Sequence, residues 1–165
     1  MKSYLAALLV LIGTVAQADT LPAPQGEVIL TVSGQIAHTN GDGTASFDRA
    51  MLEALAQHTT TATTPWLDGV HDFSGPLGAA ILDAVGANGT TLDVIALNDY
   101  SAEVPVQDLI DYAVIFATHI DGEQMSVREK GPLFMIYPFD KNPELFNEVY
   151  FGRSVWQISQ IEVKD

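Results

Sequence analysis

Thr91-Leu92-Asp93-Val94-Ile95-Ala96-Leu97-Asn98-Asp99-Tyr100-Ser101 is the stretch on which the fold turns. Its first part, 91–97, is nearly all apolar, which predicts a central strand buried on both faces. The strand ends in an amide, a carboxylate, a phenol and a hydroxyl. Four polar groups in a row gather hydrogen-bond donors and acceptors of several kinds at one sheet edge, which suits a binding site. The same residues also suit a capped turn, with Asp99 and Ser101 bonding their own backbone.

Working outward toward the amino end, 75–86 reads as a helix. Pro76 suits a first helical position, Leu77, Ala80, Ile81, Ala84 and Val85 share one face, and Gly86 stands near the end. Residues 58–64 form a threonine-rich strand halted by Pro65, and 47–55 carry apolar residues at helical spacing. Residues 27–33 are β-branched and partly alternating, a strand that ends at Gly34, and the Asn40-Gly41 and Asp42-Gly43 pairs within 38–44 mark a hairpin tip. A calcium loop there lacks the bidentate acid that its spacing requires.

Toward the carboxyl end the pattern predicts a short helix to about 111, strands at 113–118 and 133–137 and a turn at Asp121-Gly122. A helix over 142–150 and a closing strand over 154–163 complete it. About eight strands broken by three or four short helices make an α+β domain with a mixed β-sheet core. No repeat or linker divides residues 27–165.

The chain has 165 residues, 21 acidic against 7 basic, a net charge of −14 and 47% hydrophobic content. Such a charge repels phosphate backbones and anionic bilayers, and the basic residues form no cluster, so nucleic acid is excluded as a partner. No cysteine is present, which removes disulfides, thiolate metal sites and thiol nucleophiles. Met1-Lys2, an apolar run over 4–12 and Ala16-Gln17-Ala18 read in order as a secretory signal, with cleavage expected after Ala18 and export to the periplasm. Residues 19–26, with two prolines, read as an N-terminal arm. Direct membrane insertion of the remainder is not expected.

Familiar catalytic patterns are missing. His38, His58, His71 and His119 form no H-x-x-x-H pair, the serines form no G-x-S-x-G elbow, and no glycine-rich nucleotide loop occurs. His58 and His119, at strand ends, could face a ligand or serve as partly buried hydrogen-bonding imidazoles. Three polar clusters remain. Thr64-Pro65-Trp66 places an indole just after a strand end, either as a core plug or as a platform for a planar ligand. Asn98-Asp99-Tyr100-Ser101 is the second. Arg128 and Lys130, before Gly131-Pro132-Leu133, are the third, fit to hold an anion or to pair with surface carboxylates.

Together with Phe73-Ser74-Gly75-Pro76-Leu77 and Val155-Trp156-Gln157-Ile158, these clusters resemble the sulfite-oxidase-type molybdopterin-binding domain. In that family a similar loop-helix module precedes a "DGYS"-like strand end, and a "GGPL" turn leads to a closing "W…I" strand. The likeness runs from about Glu27 to Val163. It implies a sulfite-oxidase-like α+β fold. The family's molybdenum-ligating cysteine belongs in the segment that here reads Thr60-Thr61-Ala62-Thr63-Thr64-Pro65-Trp66, and a threonine hydroxyl does not replace a soft thiolate.

An exported, cysteine-free domain of this kind is similar to periplasmic pterin-binding regulators of the PruR type. That resemblance implies a non-catalytic protein that binds a reduced, metal-free pterin and presents it to the periplasmic region of a membrane receptor, such as a cyclic-di-GMP enzyme. It points to Trp66, Asn98, Asp99 and Tyr100 as pterin-binding residues, with Thr64, Ser101, Arg128 and Lys130 beside them. In this expectation Trp66 is the platform and Asp99 accepts from the 2-amino and N3 groups. Two other readings stand beside it: a molybdopterin-dependent oxidoreductase with cysteine-free cofactor binding, and a scaffold whose old pocket is filled by side chains. An aromatic group at Phe146, Val149, Tyr150 and Phe151 reads as core rather than as a docking patch.

Overall fold

The computed structural model describes residues 21–165, so the expected export signal at 1–18 lies outside the described residues. In chain order the elements are β1 (Val28–Gly34), β2 (Ala45–Asp48), α1 (Arg49–Glu53), β3 (Gln57–Thr64), β4 (Leu67–Pro76), α2 (Gly78–Val85), β5 (Thr91–Ala96) and β6 (Ser101–Pro105). There follow α3 (Val106–Asp111), β7 (Ile115–Ala117), β8 (His119–Ile120), β9 (Glu123–Gln124), β10 (Phe134–Ile136), α4 (Glu148–Arg153) and β11 (Ile158–Lys164), with 3-10 turns at Val127–Glu129 and Pro143–Leu145. Strands dominate this mixed α/β fold, and its helices are short. None of the described helices is long and apolar enough to cross a membrane.

Period-two burial builds the main sheet, ordered β2-β1-β11-β5-β6, in which only the β1–β11 pair is parallel. Leu30 and Val32 of β1, Ile158, Ile161 and Val163 of β11 and Leu92, Val94 and Ala96 of β5 face one core. The helix α2 covers that core with Ile81, Leu82 and Val85. This corrects the expectation for the opening stretch. β5 is buried on one face, not two, because Asp93 sits on the other and its carboxylate accepts a hydrogen bond from Lys164. Leu97 has left the strand and is exposed.

A second region holds the antiparallel β3-β4-β8-β9 sheet and the β10-β7 pair, with Ala62, Phe73, Ile115, Ala117, Phe134 and Ile136 packed between them. Here the sequence reading misplaced a boundary. The expected strand stops at Pro65 and the expected helix starts at Gly75-Pro76, yet Leu67–Pro76 form β4, which pairs with β3 from Gln57↔Pro76 to Thr64↔Leu67. Asp68, Gly69 and Asp72 hide the strand, since its regularity comes from the partner's ladder and not from its own propensities. Gly75 has no room for a side chain: a Cβ there would lie 2.2 Å from the Phe116 carbonyl oxygen. The helix begins two residues after Pro76, at Gly78, and Gly86 caps it in the left-handed conformation as expected.

Other expected elements are shorter than the pattern suggested, among them the strands at 113–118 and 133–137, which shrink to Ile115–Ala117 and Phe134–Ile136. Phe47 and Asp48 of the 47–55 helix belong to β2, and Asp48 caps α1 by accepting from the Met51 amide. The carboxylate of Asp48 also takes the amides of Gln25 and Gly26, tying down the N-terminal arm. These backbone donors, Met51 first, hold its pKa below the ordinary carboxylate value. The 142–150 helix is split into the 3-10 turn Pro143–Leu145 and α4, because Asn147 restarts the chain with its side chain accepting from the Val149 amide. The closing strand begins at Ile158, which frees 154–157 for the site.

Candidate functional site

Two hairpin turns and α4 surround a cleft of about 380 Å³. The first turn is Pro65-Trp66, the two-residue connection between β3 and β4. It carries the indole of Trp66 edge-on to Phe134, Phe151 and Trp156, with ring centroids 5.5, 5.8 and 5.8 Å away. Half-buried and anchored on three sides, Trp66 is both a packing residue and a wall. The second turn, 97–100, joins β5 to β6. Asp99 takes a left-handed conformation with φ 65°, its amide donates to the Ala96 carbonyl, and the Asn98 side chain accepts from the Tyr100 amide at 3.2 Å. Tyr100 then leans across the opening and donates from its hydroxyl to the Gly152 carbonyl of α4 at 2.9 Å.

Opposite these turns stand Glu148, Phe151 and Gly152 of α4 and the segment Ser154, Val155 and Trp156. A buried network fixes this wall from behind. Asp108 of α3 accepts from the Tyr137 hydroxyl and from the Arg153 guanidinium, both at 2.8 Å. Burial, with the Asp108 carboxylate adding to it, pushes the Tyr137 phenol far above its ordinary pKa, so it stays a donor. Ser154, itself buried, donates to the Tyr150 carbonyl at 2.9 Å.

On the other side of Trp66 lies a second cleft of about 450 Å³, lined among others by His71, Ile120, Glu123, Arg128 and Lys130. Its loop is held by Ser126, whose amide and hydroxyl donate to the Glu129 carboxylate at 3.4 and 2.9 Å. Lys130 has φ 78°, and its Nζ lies 4.3 Å from the centroid of the Trp156 ring, a cation–π arrangement. Gly131 follows because a Cβ there would meet the Met125 carbonyl oxygen at 2.3 Å. His71 pairs with Asp121 through Nδ1 at 2.7 Å, and that hydrogen bond raises its pKa while lowering that of Asp121.

The structure therefore divides the residues singled out in the sequence. Trp66, Asn98 and Tyr100 line the first cleft; Arg128 and Lys130, with Trp66, line the second. Thr64 is buried, and among the described residues neither its hydroxyl nor that of Thr60 has a hydrogen-bond partner. Asp99 and Ser101 are exposed and line neither cleft. The capped-turn reading describes this hairpin in part, with Asn98 in place of Asp99 and Ser101 as the residue that bonds the backbone. Glu148 and Ser154 were missed, and no local signal marks them, since they meet the site only through the split of the 142–150 helix. Trp156 was legible only as part of the Val155–Ile158 motif. Three histidines have protein partners: His38 on the Ala84 carbonyl, His71 on Asp121 and His119 on the Thr118 hydroxyl.

No family model and no curated protein matches the chain. Among solved structures it is similar to the sulfane dehydrogenase SoxCD from Paracoccus pantotrophus, with a TM-score of 0.63 and 18% sequence identity, covering 82% of this chain and 38% of that one. The likeness spans well under half of the dehydrogenase chain, and at that identity it is one of fold. This strand-dominated α/β chain thus has a fold related to part of sulfane dehydrogenase SoxCD.

Proposed function

We propose that this chain is a non-catalytic pterin-binding protein of sulfite-oxidase-like fold, similar to the PruR type, which acts in the periplasm and relays its occupancy to a membrane signalling receptor such as a cyclic-di-GMP enzyme. The observation that carries the reading is the first cleft: two indoles, Trp66 and Trp156, beside the neutral polar groups Asn98, Tyr100 and Ser154. A pterin is a flat bicycle with one edge of hydrogen-bonding groups, and this site pairs aromatic walls with a few convergent polar groups. Its volume of about 380 Å³ lies within the range of roughly 300–1,000 Å³ usual for small-molecule sites.

Support for the relay is the distribution of exposed apolar side chains. Tyr100 and Trp156 line the cleft, Val149 follows Glu148 of its wall along α4, and Phe146 packs on its Phe151 wall with ring centroids 4.9 Å apart. Leu97 and Val127 adjoin through Gln157, which bonds the backbone of both. Apolar groups gathered around one opening suit a partner that covers it. This gives Phe146 and Val149, read from sequence as core, the role of a docking rim.

The residues present do not fit a thiolate-held molybdenum. Where the family places its cysteine, β3 offers the buried hydroxyls of Thr60 and Thr64, neutral hard donors unsuited to that metal, so no step is routed through it. The test is to purify the protein from cells that make pterins, release the small molecules and assay pterin fluorescence, with calorimetric titration by a tetrahydropterin alongside. A pterin recovered in proportion to protein, and saturable binding, are the expected results. Stoichiometric molybdenum, or no pterin and no binding, would overturn the reading.

A further inference from the structure

We infer that Glu148 is the residue that selects the ligand of the first cleft, and that this ligand is an unphosphorylated heterocycle with a donor-rich edge. The inference rests on the pterin reading and deepens it. The neutral polar wall groups each have only part of their hydrogen-bonding capacity left for a ligand. The Tyr100 hydroxyl has spent its proton on the Gly152 carbonyl and so faces a ligand as an acceptor, while the hydroxyl of Ser154 is buried and bonded to Tyr150. The Asn98 carbonyl oxygen accepts from the Tyr100 amide, and its NH₂ group remains as a donor. Glu148 makes no hydrogen bond or ion pair among the described residues; the cap of α4 is supplied by Asn147 instead. Its carboxylate oxygens are free to accept.

Among the lining side chains Glu148 and the Tyr100 hydroxyl can accept, while Asn98 and the indole N–H groups of Trp66 and Trp156 can donate, and Glu148 is the one that can only accept. A ligand that satisfies Glu148 presents N–H groups side by side, as the 2-amino and N3 groups of a pterin do. Charge gives the second half. Glu148 is the single charged residue lining this cleft, and the nearby cations are engaged elsewhere: Arg153 on Asp108 behind the wall, Lys130 over the Trp156 ring and lining the second cleft. A phosphate ester would enter a cleft whose lining holds one carboxylate and no cation. Glu148 thus takes the role that the resemblance implied for Asp99, which lies outside the cleft.

The experiment is calorimetric titration of the full chain with hydroxymethyl-dihydropterin and with its monophosphate ester, repeated for Glu148→Gln and Asp99→Asn. Glu148 is exposed on a helix start, and a circular-dichroism melt checks that each variant keeps its fold. Expected is tighter binding of the alcohol than of the ester by wild type, and an affinity for the alcohol lowered about tenfold or more in Glu148→Gln, the size of one charge-assisted hydrogen bond. The gap between the two ligands should narrow in that variant, and Asp99→Asn should match wild type. If wild type binds the alcohol but Glu148→Gln binds it equally well, or if the ester binds as tightly, the inference fails while the pterin reading stands. If wild type binds neither compound, both fall together.

Discussion

The two clefts that share Trp66 differ in what closes them. The first is walled by indoles and neutral hydrogen-bonding groups with one carboxylate; the second carries Arg128, Lys130 and the His71–Asp121 pair on a loop scaffold. Read along the chain, the polar clusters looked like parts of one site. In space, one aromatic side chain stands between them, and the cations belong to a loop whose Lys130 is drawn onto the outer indole. Residue type alone did not place a group in the site; the turn that carried it did.

The sharpest way to break this division is to remove its shared wall. Trp66→Ala deletes edge-on contacts with Phe134, Phe139, Phe151 and Trp156 and should cost about 2–4 kcal/mol, near the low end for large-to-small aromatic changes because the residue is half-buried. Urea unfolding measures it, and an unchanged midpoint would show that the indole does not hold the clefts apart. Gly131→Ala acts on the loop that carries Arg128 and Lys130 of the second cleft. Its methyl would lie 2.3 Å from the Met125 carbonyl oxygen, and the forced shift should cost about 1–3 kcal/mol in the same assay.

Arg153→Met isolates the first cleft. It leaves the Asp108 carboxylate with the Tyr137 hydroxyl as its remaining side-chain partner, a loss of about 1–2 kcal/mol, below the range for fully buried pairs because Arg153 is partly exposed. Tyrosine and tryptophan near-UV signals should change with it as the α4 wall loosens. The smallest effect is expected from His71→Ala. Because folding raises the His71 pKa above 6.5, its contribution is full below that value and fades as pH rises through the folded pKa. Asp121, whose pKa is lowered below 3.8, contributes above 3.8 and fades as pH falls through its folded value. The pair therefore holds β4 to the β8–β9 turn best between about pH 4 and the raised histidine value. Thermal melts at pH 5 and pH 9 should differ more for wild type than for His71→Ala.

Much of the fold was legible because burial alternates along β1 and β11 and because Gly86 and Asp121-Gly122 have the conformations their residue types favour. What escaped was set by partners distant in sequence. β4 is a strand through its ladder with β3, the Asp93 face of β5 is outward because Lys164 meets it there, and Gly75 and Gly131 are required by carbonyls that approach from other strands and loops. The site divides the same way. Trp66, Asn98 and Tyr100 sit on turns whose chemistry is local, and the sequence pointed to them. Glu148 and Ser154 come to the cleft through a helix that Asn147 restarts and that Arg153 ties to Asp108, a placement that no local pattern encodes.

The most direct test of the account is tryptophan fluorescence of the purified protein during titration with tetrahydrobiopterin. Saturable quenching at one ligand per chain, weakened in Trp156→Leu and retained in Arg128→Ala, is the expected result. Absence of saturable quenching in wild type, or quenching that disappears with Arg128 and survives loss of Trp156, would contradict a flat heterocycle held in the indole cleft.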